Sequence, residues 1–340
     1  MTSALLDDVD RVCRDLIGPA ALRVDGDVVP RSHIDALART GLLAGASDDV
    51  SPADVRAAQE RLAGACLSTW LVVAQHQMPL RLARAARPQL RDSLVPLLES
   101  GTTLGGVSFS HVRRWPQRPV DAERIHGAWL FSGTAPWYTG WGINDVAAIA
   151  GATEDGHVVF LLVPAEASPA LRPGRPAQTL AVTAARTVPL HLDELVVPDS
   201  GVLAVEHIDD WCRADERATA NVSPAVFGVA QAAIDRLRRS PDTSAQATGR
   251  RMNTVLADVR AEAYALIDDQ VDTHTSTNRR LQLRTRALRL GVDATTALIV
   301  SRAGQAMQRS DDAQLLARWA LFLTVQAQTR QLRTALLSSF

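Results

Sequence analysis

In the stretch 135-APWYTGWG-142, two tryptophans and a tyrosine fall within five residues of a 340-residue chain that is 4% aromatic. Along a strand, side chains alternate between faces, so Trp137 and Thr139 would share one face and Tyr138 would take the other. Rings this close together could form a flat platform for a planar ligand. The same rings at a glycine-rich corner would also seal the end of a β-barrel, and composition leaves both readings open. Trp141 reads as packing, and Tyr138 as facing a domain interface.

Other residues have the chemistry for a site. His111, with an ordinary pKa of about 6.5, suits acid or base work, or is simply a satisfied polar residue after a strand. In 113-RRWPQR-118 the guanidinium forks of Arg113 and Arg114 match a phosphate or carboxylate. The plainer alternative is a solvated turn held by Pro116 and Pro119. His76 lies on the apolar helix 70-WLVVAQHQM-78, where a polar ring needs a partner. Asp215 and Glu216 read as solvated acids at a helix start, favoured there by the macrodipole.

The chain contains no lysine; all 36 of its basic residues are arginine. Schiff-base chemistry, pyridoxal phosphate attachment and a P-loop, each of which needs an ε-amine, are thereby excluded. The net charge is -1, and no face is basic in the pattern, so neither nucleic acid nor an anionic membrane is expected as a partner. No apolar run approaches the ~20 residues of a membrane span. The opening MTSALLDDVDRVCRDL, with Asp7, Asp8 and Asp10, does not read as a signal peptide. Cys13, Cys66 and Cys212 are isolated in sequence and read as buried small hydrophobes. A cytoplasmic protein without a metal site is expected.

Three segments must position these residues. Residues 1–102 carry helical spacing, as in Leu5, Val9, Val12, Cys13 and Leu16. Ser51-Pro52 starts a helix over roughly 52–78, apolar enough to be buried on most sides. Residues 103–205 change to short β-rich runs, at Val107–Ser110, Ala128–Phe131, Val146–Ala150, His157–Val163 and Thr187–Leu192. Such runs make a small barrel or sandwich. Residues 206–340 read as a four-helix bundle, with helices near 219–239, 246–274, 279–306 and 312–337 and a loop at 240-SPDTSAQATG-249. The expected fold class is α+β.

In that order the segments resemble the acyl-CoA dehydrogenase family over nearly the whole chain. The run 128-AWLFSGTAPWYTGWGINDVAAIAGATEDGHVVFLLVPAE-166 is similar to the family's middle-domain G-x-K-x-W-I-T segment and the aliphatic strand after it, with Gly133, Trp137 and Thr139 on the G, W and T. The segment 193-DELVVPDSGVL-203 matches its D-V-x-V-P-x-x-x-V-L exit. The first bundle helix resembles 224-PAVFGVAQAAID-235. The resemblance implies FAD, with Trp137 against the flavin ring and Thr139 bonded to its N5 edge. Ser108 and Ser110 lie near the family's V-T-E strand, which contacts the pyrimidine end; Ser110 is the better match and His111 replaces the glutamate. Related flavin monooxygenases of this fold imply a substrate-lining role for His76. An acyl thioester or related small substrate, and a homodimer or homotetramer, are also implied.

The sequence departs from that pattern at several points. In 317-ARWALFLTVQAQT-329, Ala327 takes the place of the usual catalytic glutamate. Glu216-Arg217 resembles an alternative base position on the first bundle helix, but the spacing to Gly228 is about two residues too long, roughly 200° of helical rotation. The R-x-x-F-G segment is replaced by 240–249, the G-G pair appears as Gly304-Gln305, and the substrate loop becomes 110-SHVRRWPQRP-119. Plain α,β-desaturation is accordingly weakened as an expectation. A redirected flavin enzyme, or a homologue that has lost flavin and acts as a non-redox enzyme or interaction subunit, stands beside it.

Overall fold

The computed structural model describes residues 4–269 and 274–340. The expected bundle helix over 246–274 therefore extends in part over 270–273, outside the described residues. The chain begins with α1 (Ala4–Val12), which runs through a π-helical turn into α2 (Gly18–Asp25), followed by α3 (Arg31–Arg39). The helix expected over 52–78 is two: α4 (Pro52–Ala65) and α5 (Leu67–Ala85), parted where Cys66 is extended (φ -157°, ψ 107°). Ser51 caps α4 by accepting from Asp54 N–H, with Pro52 at the first helical position as its sequence indicates. Helix α6 (Pro88–Glu99) completes the segment.

Eight strands follow: β1 (Gly105–Ser108), β2 (Val120–Ile125), β3 (Ala128–Tyr138), β4 (Val146–Ala152), β5 (His157–Pro164), β6 (Leu171–Pro173), β7 (Val188–Pro198) and β8 (Val202–His207). Their order is β6-β7-β3-β2-β4-β5-β8, with β1 parallel to β4. Strand β2 meets β4 only at Asp121–Ala152, so the sheet has two halves joined at that point. The halves enclose one core, in which Phe131, Tyr138 and Leu190 from one meet Ile149 and Leu161 from the other. Alternate residues of β4 and β5, Ala148, Ala150, Val158 and Phe160, face outward and pack beneath Leu80 and Ala83 of α5 and Leu94 and Leu98 of α6. Both faces of these strands are buried, which explains their unbroken apolar runs. Strands β2 and β8 escape the sequence reading because their outer faces carry charges, such as Asp121, Glu123 and Glu206.

The last part holds α7 (Ile208–Ala220), α8 (Pro224–Arg238), α9 (Thr243–Asp268), α10 (His274–Arg302), α11 (Asp312–Val325) and α12 (Arg330–Leu337). The stretch 240–249 is mostly helical, because Asp242 caps α9 by accepting from Ser244 and Ala245 N–H. Helices α4 and α8 cross closely: a Cβ on Gly228 would fall 2.2 Å from the Glu60 carbonyl oxygen. The N-terminal helices and the bundle share one core, to which Leu62, Leu67, Phe227, Ile234, Leu316 and Trp319 belong. Cys13 and Cys66 are buried; Cys212 is only half-buried. Among the described residues no helix is long and apolar enough to cross a membrane, and no cluster of potential metal ligands occurs.

Candidate functional site

A cleft of about 840 Å³ opens where the ends of β1 and β3 face the junction of α11 and α12. Sites for small molecules span roughly 300–1,000 Å³. Trp137 and Thr139 both line it, while Tyr138 between them points into the sheet core. The indole is 54% exposed, an open apolar wall rather than a plug, whereas Tyr138 is fully buried. Thr139 shares a hydrogen bond with the Thr187 hydroxyl at 3.0 Å. Asn144 supports the pair from below, donating to the Thr139 carbonyl (2.9 Å) and the Tyr138 hydroxyl (3.1 Å). Trp141 packs edge-on against Tyr138. Tyr138 thus serves the sheet core instead of a domain interface.

Ser108 does not reach the cleft. Its hydroxyl donates to the Trp137 carbonyl at 2.9 Å, so its part is to hold the backbone that carries the indole. Ser110, in the 3₁₀ turn Ser110–Arg114, does line the cleft, as do His111, Arg113 and Arg114 of the same turn. His111 lies 2.8 Å from the Ala150 carbonyl through Nε2. Burial holds its pKa down to about 4, against the opposing pull of that bond. The ring is therefore neutral at physiological pH, with Nε2 donating to the Ala150 carbonyl.

Arg113 forms a two-pronged ion pair with Asp215 of α7, at 2.6 and 2.8 Å, and its guanidinium lies over the Phe109 ring. Arg114 is exposed at the rim. Glu216, read as a solvated acid and, by resemblance, as a candidate base, is exposed on α7 and does not line the cleft. The helix starts at Ile208, earlier than expected, so 215–216 lie in its second half and Asp215 is the acid turned inward. His76 is also outside the cleft, contrary to the substrate-lining expectation. It is wholly buried, donating from Nε2 to the Leu98 carbonyl (3.1 Å) and accepting at Nδ1 from Gly105 N–H (3.0 Å). It joins α6 to β1, and burial lowers its pKa to about 4.

The opposite wall is the break between α11 and α12, where one helix was expected. Gln326 is extended, and Ala327 takes a left-handed backbone (φ 49°) that a non-glycine residue adopts only under constraint. Gln326, Ala327, Gln328 and Arg330 face the cleft, but Arg318 pairs with Asp25 at 2.7 Å. Behind the break lies Arg284 of α10, which sequence reasoning missed. It is 3% exposed and donates to the Gln326 carbonyl (2.9 Å) and to the Thr219 carbonyl at the end of α7. Burial, with Arg113 nearby, pushes its pKa down to about 10. It stands in a run of arginines on α10, at 279, 280, 284, 286 and 289, with nothing local to single it out.

Among the described residues lining the cleft there are four arginines (113, 114, 330 and 333) and no carboxylate. Such a lining attracts anions and offers no carboxylate to take a proton.

No family model and no curated protein matches the chain. Solved structures do. Butyryl-CoA dehydrogenase from Megasphaera elsdenii superposes with a TM-score of 0.84 at 13% identity, over 98% of this chain and 96% of that one. A glutaryl-CoA dehydrogenase from Mycobacterium smegmatis in complex with FADH2 gives 0.79 at 15%, over 98% and 93%. FkbI, of methoxymalonyl extender-unit biosynthesis, gives 0.78 at 18%, over 97% and 98%. The chain has the acyl-CoA dehydrogenase fold.

Proposed function

We propose that this protein is a flavin-dependent oxidoreductase, a divergent acyl-CoA dehydrogenase homologue acting on an acyl thioester or related small anionic substrate. The observation that carries the reading is the pairing of an exposed indole, Trp137, with the Thr139 hydroxyl on one wall of the cleft. The residues present fit a flavin ring: a flat apolar wall at Trp137 and hydroxyls at Thr139 and Ser110. The relative crystallised with FADH2 has the same fold. Bound FAD would supply a two-electron acceptor, which no side chain of the cleft can provide.

The chain's own residues do the rest. Trp137 excludes water from one side of the ligand, and Thr139 holds a hydroxyl at its edge. The arginines attract an anionic substrate and favour negative charge that develops on it. Removal of an α-proton by a carboxylate is not provided for, since Asp215 is held by Arg113 and Ala327 has no proton acceptor. The same absence favours a second reading, a monooxygenase or otherwise redirected enzyme on this fold. The polypeptide divides into domains 1–102, 103–205 and 206–340. Self-association as a homodimer or homotetramer is part of this proposal.

Oxygen consumption by the flavin-loaded protein, supplied with a flavin reductase, distinguishes the two readings. Substrate-dependent uptake supports the redirected enzyme. Anaerobic bleaching of the flavin by an acyl thioester, with the unsaturated product, supports desaturation.

A further inference from the structure

The hydroxyls of Thr139 and Thr187 are bonded to each other and, among the described residues, to nothing else. Strand β3 runs antiparallel to β7 with Tyr138 opposite Val188, so the next residues out, Thr139 and Thr187, also stand opposite one another. Their oxygens lie 3.0 Å apart, and either can donate. Both residues line the cleft, Thr139 largely buried and Thr187 half-buried. Two protons and one shared bond leave the pair with a free donor at one end and a free acceptor at the other. Reversing the shared bond exchanges the ends.

The backbone holds Thr187 in that place. Arg186, just before it, is left-handed (φ 50°), as is Val182 (φ 55°), a β-branched residue for which this conformation is costly. Gly140 and Trp141 donate their N–H groups to the Ala185 and Arg186 carbonyls (2.8 and 3.2 Å), which fastens the strained turn to the end of β3.

We propose that Thr187 is a positioning residue for the Thr139 hydroxyl: the pair reverses its hydrogen bond, so that Thr139 donates to the cleft's ligand in one redox state and accepts from it in the other. The assignment rests on the flavin reading above. N5 of a flavin accepts a hydrogen bond when oxidised and carries an N–H when reduced. While Thr139 donates to N5, Thr187 donates to Thr139; when N5–H donates, Thr139 turns its proton to Thr187. No proton leaves either threonine. Without a hydroxyl at 187, the oxidised state loses only a donor to a Thr139 lone pair. The reduced state leaves the Thr139 proton with no acceptor, the larger loss for a buried group. Thr187 therefore favours the reduced flavin.

The test loads the protein with FAD and measures the midpoint potential of the bound flavin against a reference dye. Thr187→Val and Thr187→Ala should shift the equilibrium about tenfold toward oxidised flavin, a potential roughly 30 mV lower for two electrons. Thr187→Ser, which restores the hydroxyl, should return it to the wild-type value. The alanine variant carries the test if the valine variant misfolds. An unchanged potential in a hydroxyl-free variant with flavin bound, or a serine variant as low as the alanine one, overturns the role of Thr187 and leaves the flavin reading standing. Wild-type protein that takes up no FAD overturns both.

Discussion

Arg113 and Asp215 meet in a two-pronged ion pair that joins the turn after β1 to the middle of α7, both side chains being largely buried. The pair fixes Arg113 at the cleft wall and occupies the acid that α7 turns inward. Asp215→Asn should lower stability by about 1–3 kcal/mol, between the cost of exposed and fully buried pairs. Urea unfolding measures it. An unchanged midpoint would mean that the pair does not hold the cleft together.

Arg284 bridges two chain ends. Replacing it with leucine leaves the Thr219 and Gln326 carbonyls without that donor, at a cost of about 1–3 kcal/mol for each buried group left unpaired. Because the bond to Gln326 borders the turn at Ala327, Arg284→Leu should also weaken binding in the cleft beyond what lost stability explains. Ligand titration well below the unfolding temperature would reveal that; unaltered affinity would confine Arg284 to packing.

Three buried histidines make the fold sensitive to acid, since burial lowers His33 as well as His76 and His111. Burial holds His76 and His111 at about 4, whereas unfolded histidine takes a proton near 6.5. Between those values the unfolded chain binds more protons, so stability is full above about pH 6.5 and falls as pH drops toward 4. The loss should be about 2 kcal/mol each for His76 and His111 on going from pH 7 to pH 5. Urea unfolding at the two pH values checks this, and His111→Gln should remove about 2 kcal/mol of the drop. Equal stability at both would show that the folded rings take up protons as readily as the unfolded ones.

These groups also mark what could be read in advance. The order of helices, sheet and helices was legible because hydrophobic period changes from 3.6 to 2 and back. The opposed faces of Trp137 and Tyr138 followed from strand alternation. His76 was misplaced because its partners, Leu98 and Gly105, lie more than 20 residues away and use backbone atoms, which leave no trace in residue type. Glu216 is exposed, as its reading as a solvated acid has it, whereas Asp215 turns inward, because one position on a helix separates an inward acid from an outward one. The break at 326–329 was hidden because the residues flanking it are ordinary helix formers, and Arg284 was one arginine among many.

Ala327 stands in the cleft without a proton acceptor. Ala327→Glu would put a carboxylate near four arginines, which should ionise it. With a short acyl thioester in deuterated water, the variant should exchange α-protons and the wild type should not. Exchange by the wild type at the variant's rate would locate a base that the account lacks.

The central claim is a flavin held by Trp137 and Thr139. Its most direct test is the visible spectrum of the purified protein, as isolated and after incubation with FAD and removal of excess. A flavin bound there gives a yellow protein with about one flavin per chain, and Trp137→Ala with Thr139→Val loses it. A colourless protein that takes up neither FAD nor FMN would contradict it.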